Sequence, residues 1–271
     1  MHHDESGTSW GPKREPASLA DLGVVAAAAA IRSGEISSQS YSVALLDRAR
    51  RYSDLNSFVA IDESAVVAAA THADQARHAG LAGPLLGVPL GVKDSYLTRG
   101  LPTTLGTGIL TGFVPAEDSD VVAAVGRAGG LVLGKNNLVE MSYGLTGSNI
   151  HHGQVKNPYA FDHISGGSSS GCAASVAARI VPAALGGDTV GSIRVPAALC
   201  GVVGFRPTVG RWSRSGVAPI SRTLDTTGVL ARSVEDCALI DQVVTGANRG
   251  LSARSDLTAT KFAYAPANTW S

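Results

Sequence analysis

Two glycine- and serine-rich segments of this chain contain groups that could carry out acyl chemistry. Gly166–Gly171 (GGSSSG) directly precedes an apolar run that predicts a helix. Backbone N–H groups at the start of a helix lack partners, so they can hold an anion or orient hydroxyl groups. In Gly186–Arg194 (GGDTVGSIR), small residues before Ser192 would let several N–H groups converge on one point, as in an oxyanion hole. The alternatives are a serine-rich helix cap and a glycine-rich turn in which Asp188 pairs with Arg194.

A serine nucleophile needs a proton acceptor, and the sequence offers a lysine for this role rather than a histidine. Gly167–Gly171 also fits the G-x-S-x-G nucleophile elbow of α/β-hydrolases, but that fold requires a histidine after the serine. All seven histidines of the chain precede this segment. Lys93 ends an apolar run with few charges, and burial disfavours the charged form of a lysine. We therefore predict Lys93 as the proton acceptor for a serine.

Other short motifs do not predict a cofactor or a metal. Gly129–Lys135 fits the G-x-x-x-x-G-K half of a phosphate loop, but Asn136 follows where a magnesium-binding Ser or Thr is required. His151 and His152 lack the spacing of a metal site and are interpreted as loop residues. Cys172 lies inside a predicted helix and is interpreted as a small core residue.

Hydrophobic runs and capping signals predict alternating strands and helices. This pattern is typical of an α/β protein whose sheet is buried on both faces. Ser18 and Asp21 have the spacing of a capping box, and Gly34 supplies a helix stop. The predicted helices cover residues 18–34, 41–52, 62–80, 118–128, 172–180 and 233–246. The predicted strands cover residues 84–93, 131–133, 202–205 and 261–265.

The composition argues against several classes of protein. With 22 basic and 22 acidic side chains, the 271-residue chain has no net charge to attract nucleic acid or an anionic membrane. Its apolar stretch near the N-terminus, residues 22–31, is shorter than the ~20 residues of a membrane-spanning helix. Three widely spaced cysteines predict no disulfide framework and favour the reducing cytoplasm. Residues 1–16 are polar and are predicted to be disordered.

Long segments of the chain resemble the amidase signature family, serine hydrolases that cleave the C–N bond of amides. The resemblance covers about residues 17–246, far more than a short motif. It includes GVPLGVKD, GLVLGKNNLVEMSYGLTGSN and the block that begins SGGSSSGCAASVAARIVPAALGGDTVGSIRVPAALCGVVGFRP. The later segment PISRTLDTTGVLARSVEDCALIDQVVTG looks most like the bacterial indoleacetamide and mandelamide hydrolases.

The resemblance implies a role for individual residues. It implies a Ser-Ser-Lys triad in which neutral Lys93 takes a proton from Ser168, and Ser168 takes one from the nucleophile Ser192. It also implies a cis peptide bond between Gly167 and Ser168. The implied oxyanion hole consists of the backbone amides of Thr189, Val190, Gly191 and Ser192, with Asp188, Arg194 and Gly167 as structural support.

Three features depart from the family pattern, and the least serious is Ser170, which replaces a frequent glycine. Val190 stands where the family commonly has glycine, and it would be strained if the loop required a positive φ there. Family members are also much longer. The resemblance therefore implies a mixed β-sheet core flanked by helices, over a single domain of residues 17–271, without the C-terminal part that completes the sheet.

The implied function is hydrolysis of a small carboxamide, of the arylacetamide type, to an acid and ammonia through an acyl-enzyme. The implied partners are the small-molecule substrate and a second copy in a homodimer. Two alternatives are the amidase subunit of an aminoacyl-tRNA amidotransferase and an inactive truncated fragment.

Overall fold

A mixed six-stranded sheet forms the centre of the computed structural model, which describes residues 18–247. Its strands follow the order β1-β3-β2-β6-β8-β7, and β4 and β5 form a separate two-stranded sheet. The strands are β1 (Phe58–Ala60), β2 (Pro89–Lys93), β3 (Leu131–Asn136), β4 (Lys156–Asn157), β5 (Ala160–Ile164), β6 (Ala183–Asp188), β7 (Val203–Phe205) and β8 (Thr226–Ala231). The predicted strand 261–265 and the predicted disorder of residues 1–16 lie outside the described residues.

Helices flank this sheet, so the mixed α/β architecture implied by the resemblance is confirmed. The α-helices are α1 (Val24–Ser33), α2 (Ser38–Arg51), α3 (Glu63–His78), α4 (Asp120–Arg127), α5 (Ser170–Ala177), α6 (Arg194–Leu199) and α7 (Val234–Thr245). Short 3₁₀ turns cover Leu19–Asp21, Ser53–Leu55 and Glu140–Ser142. Among residues 18–247, no helix is both long and apolar enough to cross a membrane.

The direction of the central strands gathers polar residues at one edge of the sheet. Strand β2 runs parallel to β3 and to β6, with Val92 opposite Leu185. Parallel strands place their carboxyl ends at the same edge. Lys93 is the last residue of β2 and Asp188 is the last residue of β6, so both lie at this edge. Strand β8 runs antiparallel to β6 and begins beside Asp188, with Thr226 as its partner.

Helix α5 carries the serine-rich segment into the centre of the molecule. All eight of its residues are buried, and it packs on β6 and β2. Gly171 in its first turn lies so close to the main chain that a Cβ there would come within 2.6 Å of the backbone nitrogen of Asn137. A larger residue at this position would therefore push the helix and the preceding serines away from the sheet.

The predicted first helix is wrong in its extent. Ser18 and Asp21 do form a capping box, but it begins the 3₁₀ turn Leu19–Asp21 rather than an α-helix. Helix α1 starts later, after Gly23, and ends as predicted at Gly34, whose φ is +79°. The capping signal was therefore identified at the correct residues but assigned to too long an element.

The predicted strand 84–93 is also too long, and five of the eight strands among residues 18–247 are not predicted, namely β1, β4, β5, β6 and β8. Only Pro89–Lys93 pairs with neighbouring strands. The predicted glycine-rich turn begins at Gly186, but residues 186–188 belong to the strand Ala183–Asp188, which is paired on both sides. Thr226–Ala231 was not predicted, although all six residues are buried. The helix predicted over 172–180 begins and ends earlier, at Ser170–Ala177.

Candidate active site

The side chains of Lys93 and Ser168 form a buried hydrogen bond. The side-chain nitrogen Nζ of Lys93 lies 2.8 Å from Ser168 Oγ, and both residues are almost completely buried. Lys93 reaches this position because it ends strand β2, and Ser168 because it precedes helix α5. The Gly167–Ser168 peptide bond is cis, at the position that the resemblance implies.

Burial changes the protonation of Lys93. The loss of hydration lowers the pKa of its amine to about 8, although the nearby carboxylates of Asp188 and Asp225 act in the opposite direction. An ordinary lysine has a pKa of about 10.4. Lys93 can therefore exist as the neutral amine near physiological pH, which an exposed lysine does not do.

Ser192 lies in the turn between β6 and α6 and joins the other two groups at one pocket. Its carbonyl oxygen accepts a hydrogen bond of 3.1 Å from the backbone nitrogen of Ser169, which ties the turn to the serine-rich segment. Lys93, Ser168 and Ser192 all line a pocket of about 290 Å³. The Ser192 hydroxyl has no protein hydrogen-bond partner among residues 18–247, so it is available to a substrate in this pocket.

The backbone before Ser192 supplies unpaired donors. Within the described part of the chain, the amides of Val190, Gly191 and Ser192 donate to no protein acceptor. The expected strain at Val190 is not present, because its φ lies outside the left-handed region and its side chain is 70% exposed. The turn can therefore present several N–H groups to one point beside the Ser192 hydroxyl.

Asp188 holds this turn in place. Its carboxylate accepts hydrogen bonds from the backbone nitrogens of Ile193 (3.1 Å) and Arg194 (3.3 Å). The guanidinium of Arg194 adds contacts of 3.0 and 3.1 Å, which confirms the predicted pair. Arg206, which sequence reasoning missed, donates its Nε to the same carboxylate at 3.1 Å.

The pKa of Asp188 reports the balance of these contacts. Burial raises it, but the hydrogen bonds from Arg194 and from the backbone of Ile193 and Arg194 lower it by more. The net pKa lies below the ordinary aspartate value, so the carboxylate stays charged at neutral pH. The charge then keeps the turn and both guanidinium groups together.

A loop before β8 also lines the pocket, and sequence reasoning assigned it no role. Asp225 organises the loop by accepting from the backbone nitrogens of Ile220 (2.8 Å) and Ser221 (2.9 Å). It also accepts from the Thr189 hydroxyl at 2.6 Å, which connects the loop to the turn before Ser192. An aspartate between a polar loop and a hydrophobic run is a turn signal that could have identified Asp225.

Comparison with known proteins identifies the family of this chain. The family model described as Amidase matches residues 43–269. The chain belongs to the amidase family. It spans about half the length of the curated relatives that it matches.

Relatives with different activities are similar to this chain. One subunit of the glutamyl-tRNA(Gln) amidotransferase of Chromohalobacter salexigens is 46% identical, over 81% of this chain and 45% of the relative. An indoleacetamide hydrolase of Pseudomonas savastanoi is 42% identical, over 80% of this chain and 47% of the relative. The crystal structure of the native peptide amidase of Stenotrophomonas maltophilia superposes with a TM-score of 0.80 at 36% identity, over 91% of this chain and 52% of that one.

A second, apolar pocket adjoins the first pocket. It has a volume of about 210 Å³ and shares Ser95, Val217 and Ala218 with the first pocket. Its other side chains are mainly apolar and include Leu105 and Phe113. Apolar side chains next to a reactive hydroxyl can accommodate an apolar acyl group.

A second buried lysine supports the backbone that follows Lys93. Lys135 Nζ donates to the Tyr96 carbonyl at 2.6 Å and to the hydroxyl of Thr103 at 2.9 Å. It also lies 3.5 Å from the Asp94 carboxylate. Lys135 is fully buried in the sheet, so the G-x-x-x-x-G-K match at this position is part of strand β3 and not a phosphate loop.

Cys172 and the two loop histidines do not line the pocket of Lys93, Ser168 and Ser192. Cys172 is buried and its thiol contacts the Leu185 carbonyl, and burial raises its pKa to about 12. A neutral buried thiol matches its interpretation as a core residue. His151 contacts Glu140, and His152 contacts Thr104. Among residues 18–247, no three His, Cys, Asp or Glu side chains are grouped as metal ligands.

Proposed function

We propose that this protein hydrolyses the C–N bond of small carboxamides to an acid and ammonia. Lys93, Ser168 and Ser192 are the proposed catalytic residues. The observation that carries the proposal is the buried 2.8 Å hydrogen bond from Lys93 to Ser168 at the pocket that Ser192 lines. Membership of the amidase family supports the same reaction.

The proposed reaction begins with the neutral form of Lys93. Its amine accepts the proton of Ser168 across their hydrogen bond, while Ser168 accepts the proton of Ser192. The Ser192 oxygen attacks the amide carbonyl carbon, and the electron pair of the C=O bond moves to the oxygen. The relay then returns the proton to the nitrogen, the C–N bond breaks, and ammonia leaves an ester on Ser192.

The proposed oxyanion hole lies in the turn before Ser192. The amides of Thr189, Val190, Gly191 and Ser192 donate to the negatively charged oxygen of the tetrahedral intermediate. One such donor typically contributes ~3–4 kcal/mol to the stability of the transition state. Water then attacks the ester through the same relay, and the acid is released with Ser192 restored.

We propose an arylacetamide-type substrate, such as indoleacetamide or mandelamide. The apolar pocket with Leu105 and Phe113 supports this class because it adjoins the pocket of the three catalytic groups. The 42% identity to an indoleacetamide hydrolase supports it as well. An aromatic ring would gain stability from leaving water for these side chains.

A second candidate is the amidase subunit of an aminoacyl-tRNA amidotransferase. The observation that favours it is the 46% identity to one subunit of such an enzyme, which is as high as that to the hydrolase. This function would use the same three residues but release ammonia from glutamine, and only together with partner subunits.

Ammonia release from indoleacetamide tests the proposal. We expect the chain to release ammonia, and the Ser192→Ala variant to lose at least about 10³-fold in kcat, since the nucleophile is removed. Ser64→Ala is the matched control, because Ser64 is an exposed serine on α3.

Two other results would contradict the proposal in different ways. Ammonia release that requires glutamine and partner subunits would support the amidotransferase function instead. Complete inactivity together with a non-cooperative thermal melt would support an inactive fragment.

A further inference from the structure

Two arginines line the same pocket as Ser192, and the proposed reaction uses neither. Arg214 and Arg222 belong to the loop before β8, and both side chains are exposed. The Nη1 of Arg214 donates to the carbonyl oxygens of Ser221 (3.4 Å) and Arg222 (3.0 Å), which orients its guanidinium along the loop.

Neither guanidinium has a carboxylate partner in the described part of the chain. The two acidic groups that line the pocket are already occupied. Asp188 accepts from the guanidinium groups of Arg194 and Arg206. Asp225 accepts from two backbone nitrogens and the Thr189 hydroxyl.

Arg214 and Arg222 therefore bring two guanidinium groups to the pocket that form no ion pair among residues 18–247. Arginine side chains recognise carboxylates through parallel N–H···O bonds. A carboxylate on the substrate would fit these two groups.

We propose that, within the arylacetamide class, the preferred substrate also carries a carboxylate, and that Arg222, with Arg214 beside it, binds this carboxylate. This inference rests on the proposed amide hydrolysis. The body of the substrate would lie against Val217 and Ala218, which line both the catalytic and the apolar pocket. The carboxylate determines which amides bind well, and the three catalytic groups do the chemistry.

A matched pair of ligands separates charge from shape. Para-carboxyphenylacetamide and para-acetylphenylacetamide have nearly the same shape, but only the first is an anion. Calorimetric binding is measured on the full chain with Ser192→Ala, so that turnover does not interfere. We expect the acid to bind about tenfold more tightly at low salt, and the ratio to fall as salt is added.

Variants of Arg222 test whether this side chain causes the preference for the carboxylate ligand. Arg222→Gln should reduce the affinity ratio to near one by weakening the binding of the acid. Arg222→Lys should keep part of the preference, because the charge remains without the paired donors. Arg222→Glu should reverse it. Arg32→Gln, an exposed arginine on α1, is the control and should leave the ratio unchanged.

The outcomes distinguish this inference from the proposed function. Equal affinity for the two ligands, or a preference that Arg222→Gln does not alter, would overturn the carboxylate site, as would failure of both ligands to bind. A charge preference in binding without ammonia release by the unaltered chain would overturn only the proposed hydrolysis. Ammonia release with no charge preference would overturn only the carboxylate site.

Discussion

The protonation state of Lys93 is the property of a single residue on which the proposed chemistry depends most. An exposed lysine is charged at neutral pH and cannot accept a proton. Strand β2 ends inside the protein, so burial lowers the pKa of this amine to about 8. The residue becomes a usable base because of its position, and its side chain is chemically ordinary.

The pH dependence of the rate tests this role of Lys93. We expect kcat/KM for an uncharged amide to rise about tenfold per pH unit below pH 8 and to level off above it, because only the neutral amine accepts the proton. The measurement is a pH–rate profile of ammonia release.

A Lys93→Met variant supplies the control for this profile. It should be inactive at every pH yet at least as stable as the original chain at pH 7. The folded pKa is lowered, so the buried charge costs stability below about pH 8, and this cost disappears between about 8 and 10.5. A rate that stays flat from pH 6 to 9 would contradict the assignment of Lys93 as the base.

At the scale of elements, the turn between β6 and α6 depends on one carboxylate. Asp188 ends β6 and receives donors from the first residues of α6 and from Arg206. The strand, the turn and the helix are therefore connected through a single charged group. The proposed nucleophile, Ser192, lies within this turn.

An Asp188→Asn variant should lower both stability and activity. The loss of the charge leaves two guanidinium groups without their partner, so we expect a cost of about 3 kcal/mol in the free energy of unfolding. The measurements are urea unfolding and kcat. Asp162→Asn is the control, because Asp162 is exposed and contacts only its neighbour His163 among the described residues.

The pH dependence of unfolding gives a second test of Asp188. Its pKa is lowered in the folded protein, so its contribution is present above the ordinary aspartate pKa and is lost as the pH falls through the folded value. The variant and the original chain should therefore converge in stability at low pH. A stability difference that persists unchanged into strong acid would argue against this ion pair as the cause.

A second pair of elements, α1 and α7, is joined by Asp236. Its carboxylate accepts a 2.8 Å hydrogen bond from the backbone nitrogen of Val25, at the start of α1. Gly23, the residue before this helix, lies so close that a Cβ there would be 2.5 Å from Asp236 Oδ2. The carboxylate of one helix thus caps the other.

Substitutions at this contact should not be additive. Asp236→Ala removes the cap and should cost about 1–2 kcal/mol, and Gly23→Ala should cost a similar amount through its clash. In the double variant the added Cβ at position 23 no longer meets the Asp236 carboxylate. The total loss of stability should therefore be clearly smaller than the sum of the two single losses. Thermal or urea unfolding of the original chain, the two single variants and the double variant measures this coupling. Additive losses of stability would contradict a direct interaction between the two positions.

At the scale of the whole molecule, the sheet topology assembles the site from distant parts of the sequence. Parallel pairing of β2 with β6 brings Lys93 to the edge where Asp188 lies. The antiparallel strand β8 then carries the loop with Arg214 and Arg222 across the pocket. No segment alone contains more than a part of this site.

The sequence alone was sufficient for the mixed α/β fold and for the burial of Lys93. An apolar run before a single lysine predicted a buried amine, and Lys93 is 1% exposed. The resemblance placed Ser168 and Ser192, and the two serines line one pocket with Lys93. The burial of Lys93 follows from local composition, whereas the roles of the two serines are implied by the resemblance.

Only the tertiary structure determines which strands and charged groups flank the turn that contains Ser192. Ala183–Asp188 (AALGGD) contains no β-branched or aromatic residue, so its local preference for a strand is weak, and it becomes one because β2 and β8 pair with both of its edges. Arg206 and Arg222 have no signal in their neighbours, because their roles depend on groups that the sheet brings to them from elsewhere in the chain. Local composition thus predicted that Lys93 is buried, whereas pairing between distant strands determined which charged groups surround it.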